Sequence, residues 1–404
     1  MAMGFDLILQ GGVVLGHGAV DLGLRKGRIA AIAPGLSGGP VKVLAGALVT
    51  PGLIETHIHL DKSCLSVPGA DGLADAIAKV SALKEAMSVE DIMARARRTL
   101  ERCILQGTTR MRTHVEVDPA IGLRGIEGVK RLREEYSWAI DIEICVFPQE
   151  GLFNRPGTEA LLIEALEGGA EVLGGCSYAD SDPGAHLRKV FELAVRYGVD
   201  LDLHLDFDLD PMGAELPEVC ALTVEHGMQG RVSVGHVTKL SALPADQLAA
   251  MAERMREAGV AAVILPATDL FLTGRGVDHN VPRGVAPAHR LAAQGVCCCL
   301  STNNVLNPFT PFGDGSLMRI ANLFANVAQV GDAAGLEGCF GMISAQSARV
   351  MRLPDYGLDV GGVADVVVFD AGSAASAVAE IAVPLLGIKR GRVVFEREKV
   401  GLKW

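Results

Sequence analysis

Between Gly52 and Thr302 the chain alternates eight short apolar runs with longer segments of helical periodicity, a pattern that leaves few folds open. The runs are GLIETHIH (52–59), TTRMRTHV (108–115), IDIEICVF (140–147), AEVLGGCS (170–177), VDLDLHLD (199–206), RVSVGHVT (231–238), VAAVILPA (260–267) and GVCCCLST (295–302). Repeated strand–helix units demand a parallel sheet, and eight of them predict an α/β fold, a closed (β/α)8 barrel of the TIM type. The first fifty residues read instead as short strands broken by glycine, and that style returns after about Ala348. Residues 1–51 and 348–404 are therefore expected to build one small composite β-sandwich beside a barrel of residues 52–347. A length of 404 residues suits one large barrel plus such an accessory unit. The helical insert after the first barrel strand, beginning DGLADAIAKV, is placed to support a lid.

Charge narrows the partner. With 37 Lys and Arg against 48 Asp and Glu, the formal net charge is −11, which argues against nucleic acid or an anionic membrane as the main ligand. A small-molecule substrate is expected. The first residues lack a basic stretch followed by a long apolar one, and no window approaches the roughly 20 apolar residues of a membrane span, so a cytoplasmic location is predicted. Nine cysteines, irregularly spaced and including Cys297, Cys298 and Cys299, indicate reduced core thiols, with packing as the role of Cys298.

The histidines carry the chemistry. His57 and His59, one residue apart on a strand, point to the same side and can bind one metal together. Alone the pair is weak evidence. His114, His204 and His236 each lie near the C-terminal end of another predicted strand, the rim on which barrel enzymes keep their active sites. His57, His59 and His204 are read as a metal set, and His236 as a group touching the metal, its water or the substrate. For His114 a substrate contact and a hydrogen bond behind the ligands are equally open. His17, His186, His226, His279 and His289 are read as surface or loop residues. One divalent cation, zinc or iron, suits imidazole ligands and would make hydroxide available at neutral pH. Gln149, just past strand three, offers a substrate both a donor and an acceptor.

The segments TPGLIETHIHLDKS, RTHVEVDP, VFPQEG, the strand-five His204, SVGHVT and NNVLNPFTPFGDG stand in one order across nearly the whole chain. In that order and spacing they resemble the cytosine deaminase branch of the amidohydrolase superfamily, which includes the isopropylammelide hydrolases. The resemblance implies a barrel with a sandwich from both termini and one zinc or iron. It also implies hydrolytic attack by a metal-generated hydroxide on a ring carbon bearing nitrogen, and a homo-oligomer. By it, His57, His59 and His204 bind the metal, His236 orients the hydroxide and Gln149 reads the ring edge. Strand four offers no lysine to bridge a second metal, so one ion is expected.

Two departures stand out. The family's proton-shuttling glutamate after the strand-five histidine is Phe207 here, and its strand-eight aspartate is Asn303. An amide accepts no proton at neutral pH, and general acid/base catalysis contributes typically ~10²- to 10⁴-fold. Replacement carboxylates are sought in Asp206, Asp208 and Asp210 beyond His204, of which Asp206 and Asp208 share its side by strand alternation, and in Glu116 and Asp118 beyond His114. Lys62 is read as a substrate anchor or a partner of Asp61, Asn304 as a substrate contact, and Phe309 or Phe312 as an apolar wall. The leading expectation is a deaminase or cyclic amidase of a small nitrogenous heterocycle, using His236, Asp206 and Asn303. A non-hydrolytic lyase or isomerase, with Asn303 and Asn304 as oxyanion donors, and a metal-poor binding protein are the alternatives.

Overall fold

Residues 4–402 are described by a computed structural model. All eight apolar runs form parallel strands: Leu53–Ile58, Thr108–Glu116, Asp141–Phe147, Val172–Cys176, Asp200–Leu205, Val232–His236, Val260–Ile264 and Cys298–Leu300. Each pairs with the next in chain order. The ring is closed just beyond the short eighth strand, where Ile58 bridges Asn303. Such strands are covered on both faces, which is why they read as continuous apolar runs rather than as alternating ones.

The helices between them bury one stripe each. Val89–Leu105, capped by the Ser88 hydroxyl on Asp91 N–H, sinks Ile92, Ala96, Leu100 and Cys103, spaced three or four apart, beneath the barrel wall. Removing the Leu100 side chain from this interface would cost about 2–5 kcal/mol. Cys298 lies in the main apolar core, and all nine cysteines are free thiols.

The two ends of the chain meet in one composite sheet. Leu48–Pro51, from the N-terminal part, pairs antiparallel with Val366–Phe369 from the C-terminal part. The strand order runs Arg392–Glu396, Pro384–Lys389, Val366–Phe369, Leu48–Pro51, Leu7–Val14, Gly18–Arg25, Arg28–Ala33, with Val41–Val43 beside Leu7–Val14. Hydrogen bonds make this a single continuous sheet around its own core of Leu9, Leu22, Val49, Val366 and Ile388. A third apolar cluster sits over the rim, where Leu65, Ala76, Val80 and Met87 from the insert after strand one meet Phe207, Leu272 and Phe309. Among the described residues, no helix is long and apolar enough to cross a membrane.

Candidate metal centre and pocket

Strand alternation turns His57 and His59 to the same side of the first barrel strand, and His204 approaches from strand five. Their Nε2 atoms converge: His204 Nε2 lies 3.1 Å from that of His57 and 3.2 Å from that of His59. Imidazole protons alone cannot satisfy three nitrogens meeting at one point. A shared cation can, and nitrogen ligands each roughly 2.0–2.1 Å from one zinc ion would stand about this far apart. Burial, with the charge of His114 next, pushes His57 down to about 3. His59 and His204 are held well below the ordinary histidine range by burial, reinforced by Lys62 for His59 and by His57 for His204. All three rings are thus neutral and ready to donate lone pairs.

Beneath them lies a charged floor. His114 stacks on His57 with ring centres 3.7 Å apart, and each ring has a nitrogen 3.5 Å from Asp202 Oδ1. Asp202 in turn accepts from the Arg112 guanidinium at 2.9 Å. His114 therefore supports His57 from below and does not line the cavity above, contrary to a substrate-contact role. His57, His114 and Asp202 make a second possible ligand group, sharing His57 with the first.

A small, tightly filled pocket of about 10 Å³ lies above His59 and His204, lined also by Leu73, Gln149, Tyr178, Phe207, His236, Thr268, Leu272, Asn303, Asn304 and Phe309. The strands deliver these groups through left-handed backbone at their ends, with φ of 52° at Asp206, 70° at His236 and 64° at Asn303. Non-glycine residues held there store strain of order 1–3 kcal/mol each, a mark of functional sites. Gln149, which lines the pocket, accepts at Oε1 from Lys62 Nζ at 2.8 Å and donates one amide N–H to Cys176 Sγ at 3.5 Å, leaving the other N–H unpaired among the described residues. Asn304 Oδ1 likewise accepts from Asn307 at 2.7 Å.

Several expected carboxylates are engaged elsewhere. The left-handed turn at Asp206 ends the strand's alternation, and its carboxylate accepts from the backbone of Glu215 (2.8 Å) and Leu216 (3.3 Å), capping the start of helix Leu216–Glu225. Asp206 thus does not stand beside His204 as alternation predicts. Asp208 pairs with Lys239 at 2.9 Å, and Asp210 accepts from Met212 N–H. Glu116 is flanked by Lys62 (2.6 Å) and Lys84 (2.8 Å); burial opposes its charge, yet the two ammoniums pull it down to about 2. Asp118 is held by Lys84 as well. Lys62 is itself buried between Glu116 and Gln149 and under the Phe309 ring, so it orients Gln149 and has no open face for a substrate carboxylate. Phe312 lies exposed, away from the cavity. His186 is a further correction: it is fully buried, with Nδ1 2.8 Å from Asp180 and Nε2 accepting from Cys176 N–H at 3.2 Å.

Residues 129–395 match the model of the Amidohydrolase family, about two thirds of the chain. The chain belongs to the amidohydrolase family. This amidohydrolase is 26% identical to an N-isopropylammelide isopropyl amidohydrolase of Pseudomonas sp., over 99% of this chain and 100% of the relative. It is 28% identical to a pterin deaminase of Rhizobium rhizogenes, over 80% and 75%. Among solved structures it resembles the 5-methylcytosine deaminase of Klebsiella pneumoniae (TM-score 0.92, 25% identity, 98% and 99% covered). It also resembles the N-isopropylammelide isopropylaminohydrolase of Burkholderia multivorans (TM-score 0.86, 31% identity, 96% and 98% covered).

Sequence reasoning missed Asp269, whose Oδ1 lies 2.6 Å from His236 Nδ1, and Asp202 under the histidines. A lone acid inside the apolar run VAAVILPATDLFL was the available signal for Asp269.

Proposed function

We propose that this amidohydrolase hydrolyses a carbon–nitrogen bond of a small nitrogenous heterocycle, releasing ammonia or an amine, with one divalent metal held by His57, His59 and His204. The observation that carries the reading is the meeting of three buried Nε2 atoms at the floor of the rim pocket, on rings that burial keeps from protonating. Zinc or ferrous iron held there supplies Lewis acidity and makes hydroxide available near neutral pH.

The chain's own residues do the remainder. Gln149 and Asn304 offer amide N–H groups to ring carbonyl or ring nitrogen acceptors, and Lys62 fixes Gln149 in that orientation. Phe309, Phe207, Leu73 and Leu272 form apolar walls suited to the faces of a planar ring, for which the tightly filled pocket must widen. His236 faces the cavity and moves the proton. The activities of the similar proteins, deamination of 5-methylcytosine and pterin and hydrolysis of N-isopropylammelide, support the same substrate class.

The test is turnover of a panel of amino-pyrimidines, amino-pterins and amino-triazines by zinc- or iron-loaded protein, with ammonia and amine assayed separately. Release of either is expected. Ring conversion without nitrogen release would favour the non-hydrolytic lyase or isomerase reading instead.

A further inference from the structure

Resting on the hydrolytic reading, we propose that Asp269 is the positioning residue that makes His236 the proton carrier of this site, in place of the carboxylates absent at positions 207 and 303.

His236 is singled out by elimination among the groups that line the cavity. Four lining side chains are titratable: His59, His204, Tyr178 and His236. The first two belong to the metal set, and burial holds the Tyr178 hydroxyl well above its ordinary range, so it keeps its proton. No carboxylate lines the cavity.

Asp269 is built for one partner. It sits in the short helix Pro266–Leu272 just past strand seven, is fully buried, and its Oδ1 lies 2.6 Å from His236 Nδ1. Its other oxygen, Oδ2, has no hydrogen-bond partner among the described residues. A buried carboxylate is costly unless paired, so His236 is what sustains it. The bond assigns the proton to Nδ1 and leaves the Nε2 lone pair, on the opposite side of the ring, free to accept. Asn303 Nδ2 lies 3.5 Å from that Nε2, on the metal side. Phe207 meets the His236 ring edge-on at 4.3 Å, so the residue that replaces a glutamate holds the imidazole in place and keeps water off it.

The proton balance closes without another reagent. As the oxygen of the attacking water bonds to the ring carbon, its O–H bond breaks and the proton goes to His236 Nε2. The resulting imidazolium is stabilised by Asp269, which stays ionised. When the carbon–nitrogen bond breaks, its electron pair leaves with nitrogen, and His236 returns the proton to that atom. One water is consumed and neutral imidazole is restored.

The experiment uses zinc-loaded full-length protein with ¹⁵N-labelled histidine. His236 is assigned by comparison with His236→Gln, beside Asp269→Asn and Asp269→Glu, and N-isopropylammelide and 5-methylcytosine serve as probes for kcat and KM. We expect wild-type His236 to carry its proton on Nδ1, with the deshielded resonance of a strong hydrogen bond. Asp269→Asn should lose that signature and lower kcat by about 10²- to 10⁴-fold. KM should stay within about threefold and one zinc per chain should be retained, while Asp269→Glu restores part of both signals. A wild-type His236 protonated on Nε2 overturns the proposal. So does an Asp269→Asn protein that keeps the signature, or keeps kcat within about threefold while His236→Gln loses it. Failure of the hydrolytic reading is separate: neither probe would turn over, yet the resonance would still decide whether the pair exists.

Discussion

The backbone N–H of Asn303 donates to the carbonyl of His57 at 2.9 Å, and the N–H of His59 donates back to the carbonyl of Asn303 at 2.9 Å. Asn303 is therefore stitched between two of the three converging histidines. Its side-chain Oδ1 is buried without a hydrogen-bond partner among the described residues.

Replacing Asn303 by Asp puts a negative charge at that point without moving the backbone. The variant should bind zinc more tightly and raise turnover of cytosine-type rings by about tenfold, a barrier change of roughly 1.4 kcal/mol. Competition against a chelator and steady-state kinetics measure the two effects. Unchanged values for both would remove position 303 from the mechanism.

Lys62 ties substrate recognition to stability. Lys62→Met frees Gln149 and removes one of the two cations beside Glu116, leaving Lys84 at 2.8 Å. The expected result is a rise in KM matching that of Gln149→Ala, together with a stability loss of about 1–3 kcal/mol that Gln149→Ala does not show. Urea unfolding of both variants separates the effects. A Lys62→Met protein with wild-type KM would contradict the orienting role.

The converging histidines set a pH dependence for metal-free protein. His57 titrates near 6.5 when unfolded and about 3 when folded, and His59 and His204 are lowered well below 6.5 too. Below pH 6.5 the unfolded chain therefore binds more protons than the folded one, so stability falls as pH drops. Each histidine contributes up to about 1.4 kcal/mol per pH unit. Thermal unfolding of chelator-treated protein should weaken markedly from pH 7.5 to 5.5. A flat profile over that window would mean that the rings are not held neutral by burial.

The barrel was legible because each strand is a short apolar run with its own helix following, a pattern that needs no knowledge of contacts. The convergence of His57, His59 and His204 was legible for a related reason, since they fall at strand ends where alternation fixes direction. Legibility stopped where the strands stop. Asp206 turns into left-handed backbone, so alternation no longer says where its carboxylate points, and the carboxylate caps a helix. Lys62 and Glu116 lie 54 residues apart in the chain, and the buried pair they form is set by tertiary packing. Asp269 escaped for the same reason: its meaning resides in His236, 33 residues earlier. His186, read as a surface residue, is buried because Asp180 and the Cys176 N–H satisfy both ring nitrogens, a compensation visible only in the fold.

Metal content tests the central claim most directly. Protein purified without added metal, then examined by elemental analysis beside His57→Ala and His204→Ala, should carry about one zinc or iron per chain, lost in both variants while the circular dichroism spectrum is kept. Wild-type protein that holds no metal and takes up none from added zinc or ferrous iron, or variants that retain it, would contradict the assignment of His57, His59 and His204 as the ligands.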